Sequence, residues 1–151
     1  MSRMRLGRAV LTSVLLTQSA LGFALDWSSN HLLNPLWHPH ARFHGALLLF
    51  LLTGVSMMGI WLLWRQSREP EVAFTVAAVI SFSFWTPFLY ITFLLAGSTL
   101  WAGDPAAVPH VAGAVFYPNV AVAGLFLALT AAAWYVGGAN GSSPSKECSR
   151  R

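Results

Sequence analysis

Apolar residues in this chain fall into four long runs that contain no charged side chain. No Asp, Glu, Lys or Arg occurs in residues 9–25, 43–64, 72–103 or 105–145. A helix needs about 20 predominantly apolar residues to cross the hydrocarbon core of a bilayer. The pattern therefore predicts an all-α integral membrane domain in residues 1–137, a four-helix bundle with spans at about 9–25, 43–64, 72–96 and 118–136.

The composition supports this class and excludes two others. The chain is 56% hydrophobic and 9% charged, whereas a soluble domain carries about 25% charged residues. The formal charge of +4 comes from basic residues dispersed among the apolar runs, which excludes the basic patch of a nucleic-acid-binding protein. Cys148 is the only cysteine, so a disulfide framework is excluded.

The basic residues predict the orientation. With four spans, eight of them fall on one side: Arg3, Arg5, Arg8, Arg65, Arg68, Lys146, Arg150 and Arg151. Only Arg42 falls on the other side. The positive-inside rule makes the first side cytoplasmic. We therefore expect a multi-pass protein of the cell membrane with both termini in the cytoplasm, a disordered cytoplasmic tail at 138–151, and His-rich outer loops.

The first run has an alternative interpretation as a cleaved signal peptide. Residues 9–25 are short for a span, and small residues at 22–24 resemble a cleavage region. Against removal, Thr12, Ser19 and Asp26 recur every seven residues and would form one polar seam along a helix. The seam favours a retained first span.

The candidate chemistry is concentrated between the first two spans, in residues 34–44, which read NPLWHPHARFH. Pro39 suits the first position of a helix, and a helix that starts there places His40 and His44 one turn apart. Histidine transfers protons near neutral pH and binds metals in its neutral form. The pair is a candidate acid/base set or, with His38 and His110, a candidate metal-ligand set, although no strict ligand signature is present.

A second candidate region surrounds Pro87 in the third span. Its ring removes one backbone hydrogen bond and leaves the carbonyl of Ser83 without its usual donor. In lipid such groups must be satisfied within the protein or in a wet cavity. Ser83, Thr86 and Tyr90 would then line a cavity for a lipophilic ligand; the alternative is ordinary helix packing, with the hydroxyls bonded to their own helix.

The pattern NPxWxPHARFH, preceded by Asp26-Trp27 and His31, resembles a family of small uncharacterised four-span membrane proteins. That likeness covers the first loop and the start of the second span, and it implies no particular chemistry. More remotely, the layout is similar to the emopamil-binding (EXPERA) group, small helical bundles that bind sterols and include a double-bond isomerase. The acidic catalytic residues of that group have no counterpart within these spans.

Three hypotheses follow. The first is a membrane enzyme that acts on a lipophilic small molecule by proton transfer at the outer face, as an isomerase or cyclase does. The second is a protein that binds a metal or haem through histidines, and the third is a non-catalytic lipid-binding or partner subunit in a homo- or hetero-oligomer. In the first, the catalytic residues would be His40, His44 and Asp26, and the substrate-binding residues would be Asn34, Trp37, Arg42, Ser83, Thr86, Tyr90 and His110.

Overall fold

A computed structural model describes residues 2–138, which are almost entirely helical. The α-helices are α1 (Arg3–Asp26), α2 (Pro39–Trp64), α3 (Pro70–Trp85), α4 (Ile91–Leu94) and α5 (Pro118–Gly138). Two 3-10 turns, Thr86–Leu89 and Pro105–Ala107, and a small hairpin of β1 (His110–Val111) and β2 (Ala114–Val115) complete the described chain. The predicted all-α class is confirmed.

Four of these helices are long and apolar enough to cross a membrane. They are Arg3–Asp26, Pro39–Trp64, Pro70–Leu89 (α3 with the turn that follows it) and Pro118–Gly138. Many large apolar side chains also face outwards, and α2 alone exposes Leu47, Leu48, Phe50 and Leu51. Such a surface is compatible with contact with lipid rather than water.

The four long helices pack side by side in the ring order α1, α2, α3, α5. Helix α1 contacts the other three, α3 packs against α2 and α5, and within residues 2–138 α2 and α5 do not touch. Helices α1 and α3 therefore contact each other across the middle of the four-helix ring. The core between them is formed by Leu11, Leu15, Leu63, Phe74, Ala77 and Ala133.

Small residues allow the close contacts. Gly7 of α1 lies against the backbone of α5, and Gly59 of α2 lies against Leu15 and Ile80. Close packing of this kind is a main source of association between helices in lipid, where the hydrophobic drive between helices is small. Gly54, which the sequence places among the small residues of the same helix, has no neighbour within 4 Å of a Cβ added there.

Each long helix also buries one polar side chain. Gln18 of α1 donates to Ser56 of α2 over 3.0 Å, and Ser81 of α3 is 2.7 Å from Thr130 of α5. All four residues are 0–1% exposed. These two hydrogen bonds join the helices in pairs, since a buried hydroxyl or amide needs a partner.

The third helix is shorter than predicted. Its α-helical part ends at Trp85, not at residue 96, and a 3-10 turn over Thr86–Leu89 and the four-residue α4 follow. Pro87 is the cause, because its ring displaces the carbonyl four residues earlier. The predicted tail at 138–151 falls outside the described residues, apart from Gly138, which is the last residue of α5.

Candidate functional site

The start of α2 is fixed by the residues on either side of Pro39. Pro39 occupies the first helical turn, and His38 caps it: its Nδ1 accepts a hydrogen bond of 3.2 Å from the His40 amide. An imidazole that accepts at Nδ1 is not protonated there. His38 therefore has a structural role in this conformation.

The loop of residues 27–38 is held on α2 by Arg42 and Gly45. The Nε of Arg42 donates a hydrogen bond of 2.6 Å to the carbonyl of Leu32. The Leu32 side chain is 5% exposed and occupies the space that a Cβ on Gly45 would need, at 2.5 Å. Asn34 shapes the same loop, because its Oδ1 accepts from the Leu36 amide over 2.9 Å.

Asp26 is engaged within this loop rather than with the histidines of α2. Its carboxylate lies 3.9 Å from Nε2 of His31, and the ring of Trp37 packs edge-on against His31 at 6.2 Å between centroids. No other ion pair is formed by Asp26 within residues 2–138. The predicted catalytic set of Asp26 with His40 and His44 is therefore not assembled.

His40 and His44 do meet, as their spacing predicts. Their Nε2 atoms are 3.0 Å apart, and the ring planes are nearly perpendicular, at 85°. One ring must donate and the other accept in such a contact. The ring of Phe43 packs against both imidazoles, with centroids 6.1 Å from His40 and 5.4 Å from His44. Both histidines are exposed.

His110 lies apart from this pair. It begins β1, its Nδ1 is 2.8 Å from the carbonyl of Val108, and its strand makes no contact with α2 in the described chain. Across residues 2–138 no group of three or more His, Cys, Asp or Glu side chains is placed to hold a metal ion. The predicted ligand set of His38, His40, His44 and His110 is not assembled, because His38 caps the helix and His110 belongs to the distant hairpin.

Of the residues around Pro87, Thr86 fits the packing alternative. The hydroxyl of Thr86 donates to the carbonyl of Phe82 over 2.7 Å, within its own helix. Ser83 and Tyr90 are exposed. None of the three lines the cleft beside Arg42, so the structure does not join them to the other predicted site residues.

That cleft, here called the Arg42 groove, has a volume of about 280 Å³ and is open on one side. Its lining residues are Trp27, Leu32, Leu33, Pro39, Arg42, Phe43 and Ala46. Apart from the guanidinium of Arg42, these side chains are apolar or aromatic. Phe43 lines the groove and also touches both histidines, so it stands between the groove and the His40–His44 pair.

Comparison of the chain with family models, curated proteins and solved structures found no match. The resemblances drawn from the motif and from the four-span layout stay predictions.

Sequence reasoning missed three residues that build the site. Leu32 and Phe43 are apolar residues among many, and Gly45 follows the motif directly. Their roles depend on how the loop returns onto α2. The one local signal for this packing is Gly45. It follows Arg42 by three residues and therefore lies on nearly the same face of the helix.

Proposed function

We propose that this chain is a multi-pass protein of the cell membrane with both termini in the cytoplasm, and that His40 and His44 transfer a proton to or from a lipophilic molecule at the outer face. The contact between the two imidazoles, 3.0 Å, is the observation that carries the proposal. The distribution of basic residues supports the orientation, because eight of them fall on the proposed cytoplasmic side and only Arg42 on the other.

The pair differs from its neighbours because no structural task accounts for it. His38 caps α2, Asn34 stabilises the turn, and Arg42 holds the Leu32 carbonyl. The rings of His40 and His44 contact each other and Phe43, and both are exposed. Two titratable rings side by side on a rigid helix are suited to chemistry rather than to packing.

The pair supplies an acid and a base in one place. In the observed contact one Nε2 carries a proton and the other offers a lone pair. A substrate that approaches the pair replaces this contact, so that one ring gives a proton while the other accepts one. Asp26 is absent from this set since it faces His31. The exposed Phe43 ring beside the pair would hold an apolar body.

The test is the wash-in of solvent deuterium. Purified protein in mixed micelles with a membrane lipid extract is incubated in deuterated buffer, and the extract is analysed by mass spectrometry. We expect deuterium at a carbon of one lipophilic component. His44→Ala should slow this exchange by about 10²–10⁴-fold, the usual contribution of a positioned acid or base.

His110→Ala is the matched control, because His110 is exposed and lies in the hairpin away from α2. It should exchange at the rate of the unmodified protein. Unchanged melting temperatures in both variants show that folding is intact. Exchange that survives in both His40→Ala and His44→Ala would remove the proposal, and so would the absence of exchange with every component of the extract.

The same geometry supports a second candidate, a transition-metal chelate. A metal ion binds histidine nitrogens at about 2.0–2.1 Å. With the two Nε2 atoms 3.0 Å apart, the nitrogen–metal–nitrogen angle would be about 90°. That angle suits neighbouring positions of a square-planar or octahedral ion, and water or lipid oxygen would fill the remainder. Titration with Cu²⁺, followed by electron paramagnetic resonance, should show two-nitrogen ligation that either His→Ala change abolishes. A spectrum unaltered by both changes rejects this candidate.

A further inference from the structure

We propose that the Arg42 groove binds the headgroup end of an anionic phospholipid of the bilayer. This inference rests on the membrane placement in the proposed function and narrows its ligand to an anionic amphiphile. It does not require that the histidines transfer protons.

The charge of Arg42 is unbalanced by any carboxylate in the described chain. Its Nε bonds to the Leu32 carbonyl, and within residues 2–138 no hydrogen bond or ion pair occupies its two terminal nitrogens. Asp26 pairs with His31, and Asp104 caps a turn by accepting from the Ala106 amide over 2.9 Å. In the part of the chain that the structure describes, neither aspartate forms an ion pair with Arg42.

A guanidinium held in this way is prepared for an anion. The hydrogen bond of Nε fixes the plane of the guanidinium, and the N–H groups of the two terminal nitrogens stay available to a ligand. Arginine binds phosphate oxygens with paired parallel hydrogen bonds, which are stronger than neutral ones. Because the side chain is only half-buried, its terminal donors are open to such a ligand.

The rest of the groove suits the apolar part of a lipid next to its headgroup. Leu33, Phe43 and Ala46 line it with Arg42, and Trp27 stands at its edge, 46% exposed. The indole N–H of Trp27 has no partner in the described chain, and tryptophan is enriched at the headgroup level of membranes. A groove lined by apolar side chains and one cation is complementary to an anionic amphiphile.

The volume of the groove is enough for only part of a lipid. Small-molecule pockets usually measure about 300–1,000 Å³, and this groove is just below that range at about 280 Å³. The remainder of the ligand would lie in the surrounding bilayer. A chain that leaves the groove over Phe43 passes towards His40 and His44, since the Phe43 ring touches both.

The experiment compares lipids that share chain length and phosphodiester but differ in the net charge of the headgroup. Delipidated protein in a neutral detergent is titrated with short-chain phosphatidylglycerol, with phosphatidylcholine of the same chain length and with inorganic phosphate, and bound species are counted by native mass spectrometry. We expect phosphatidylglycerol to bind about tenfold more tightly than phosphatidylcholine, because the choline ammonium offsets the attraction between the shared phosphate and the guanidinium. Inorganic phosphate at equal concentration should not displace it.

Two variants test the groove itself. Arg42→Gln should remove the preference for phosphatidylglycerol, and Ala46→Trp should block binding by filling the groove while it leaves the guanidinium in place. Arg65→Gln is the control, because it changes net charge equally at the opposite end of α2, where Arg65 packs over the Trp61 ring at 5.3 Å. It should keep the full preference.

Several outcomes would overturn the inference: equal affinity for the two lipids, equal loss in Arg65→Gln, unchanged binding in Ala46→Trp, or displacement by phosphate alone. The last would indicate a plain anion site. Lipid preference without deuterium exchange would remove the proton-transfer function and keep this inference. Deuterium exchange without a lipid preference would keep the proton-transfer function and remove this inference.

Discussion

At the scale of single residues, the buried hydrogen bond between Gln18 and Ser56 makes a sharp prediction. The bond is 3.0 Å long, and the Oε1 of Gln18 has no partner within residues 2–138. Ser56→Ala leaves a buried amide without its acceptor, which should lower the free energy of unfolding by about 1–2 kcal/mol. Unfolding of the detergent-solubilised protein by a denaturing surfactant measures this loss.

A double-mutant cycle supplies the control. Gln18→Met in the Ser56→Ala background removes the unpaired amide and keeps a similar volume, so the double variant should recover most of the lost stability. A double variant less stable than either single one would show that the amide has another partner and that this account of the pair is wrong.

The candidate site shows which residue-level features are predictable. The contact of His40 with His44 follows from helical spacing alone, and the structure places it as expected. The partners of Arg42 and Asp26 depend on how a loop of irregular backbone returns onto α2, which no local pattern encodes. His110 was grouped with the others because it shares their side of the predicted membrane, a condition too weak to predict contact.

At the scale of elements, the contact between α1 and α5 depends on Gly7. A Cβ there would lie 2.9 Å from the Ala133 carbonyl oxygen and 3.0 Å from the Gly137 Cα. Both are backbone atoms, so relief requires a shift of a whole helix. Gly7→Ala should therefore cost about 1–3 kcal/mol, as overpacking in cores does. The midpoint of thermal unfolding in detergent would report it.

Gly124→Ala is the matched control for this helix pair. It makes the same chemical change on α5, where a Cβ meets nothing within 4 Å. Replacing glycine by alanine in a helix raises the stability of the helix by up to about 1 kcal/mol. This variant should therefore be no less stable than the unmodified protein. Similar losses in both variants would mean that the loss in Gly7→Ala does not come from the close contact with α5.

The end of α3 gives a second prediction for an element. Pro87→Ala restores an amide that can bond to the Ser83 carbonyl, so the α-helix should continue through the present 3-10 turn at Thr86–Leu89. Slower amide hydrogen exchange at residues 86–90 would show this. Exchange that stays fast would place the cause of the break elsewhere, for instance at Tyr90, whose φ is −141°.

For elements generally, the charge-free runs predicted the four long helices well, because twenty apolar residues in sequence have few other structures available. The α-helix of the third run ends earlier than predicted, at Trp85. The sequence does not tell whether a proline bends a helix or ends it, because neighbouring packing decides between the two. Gly59 and Gly54 look alike in sequence, yet only Gly59 meets another helix.

At the scale of the whole molecule, the ring order of the helices was not predictable from hydrophobicity. Apart from the seam of Thr12, Ser19 and Asp26 on the first run, the four runs carry only scattered polar side chains. No continuous polar face therefore indicates which neighbours each helix meets. The structure leaves α2 in contact with α1 and α3 but not, within residues 2–138, with α5. A homo- or hetero-oligomer stays a prediction.

The placement of the histidine pair on the outer face is testable with the cysteine that the chain already carries. Cys148 is the only one, and Leu36, 91% exposed in the loop before α2, is a suitable position for a second. A membrane-impermeant maleimide added to intact cells should label Leu36→Cys in a Cys148→Ser background and leave the unmodified chain unlabelled. Both should react after lysis. Four crossings would place both termini on the side opposite that loop. Labelling of Cys148 alone on intact cells would therefore show that the orientation is the reverse of the proposed one. The His40–His44 pair and the Arg42 groove would then face the cytoplasm, and their lipids would have to come from the inner leaflet.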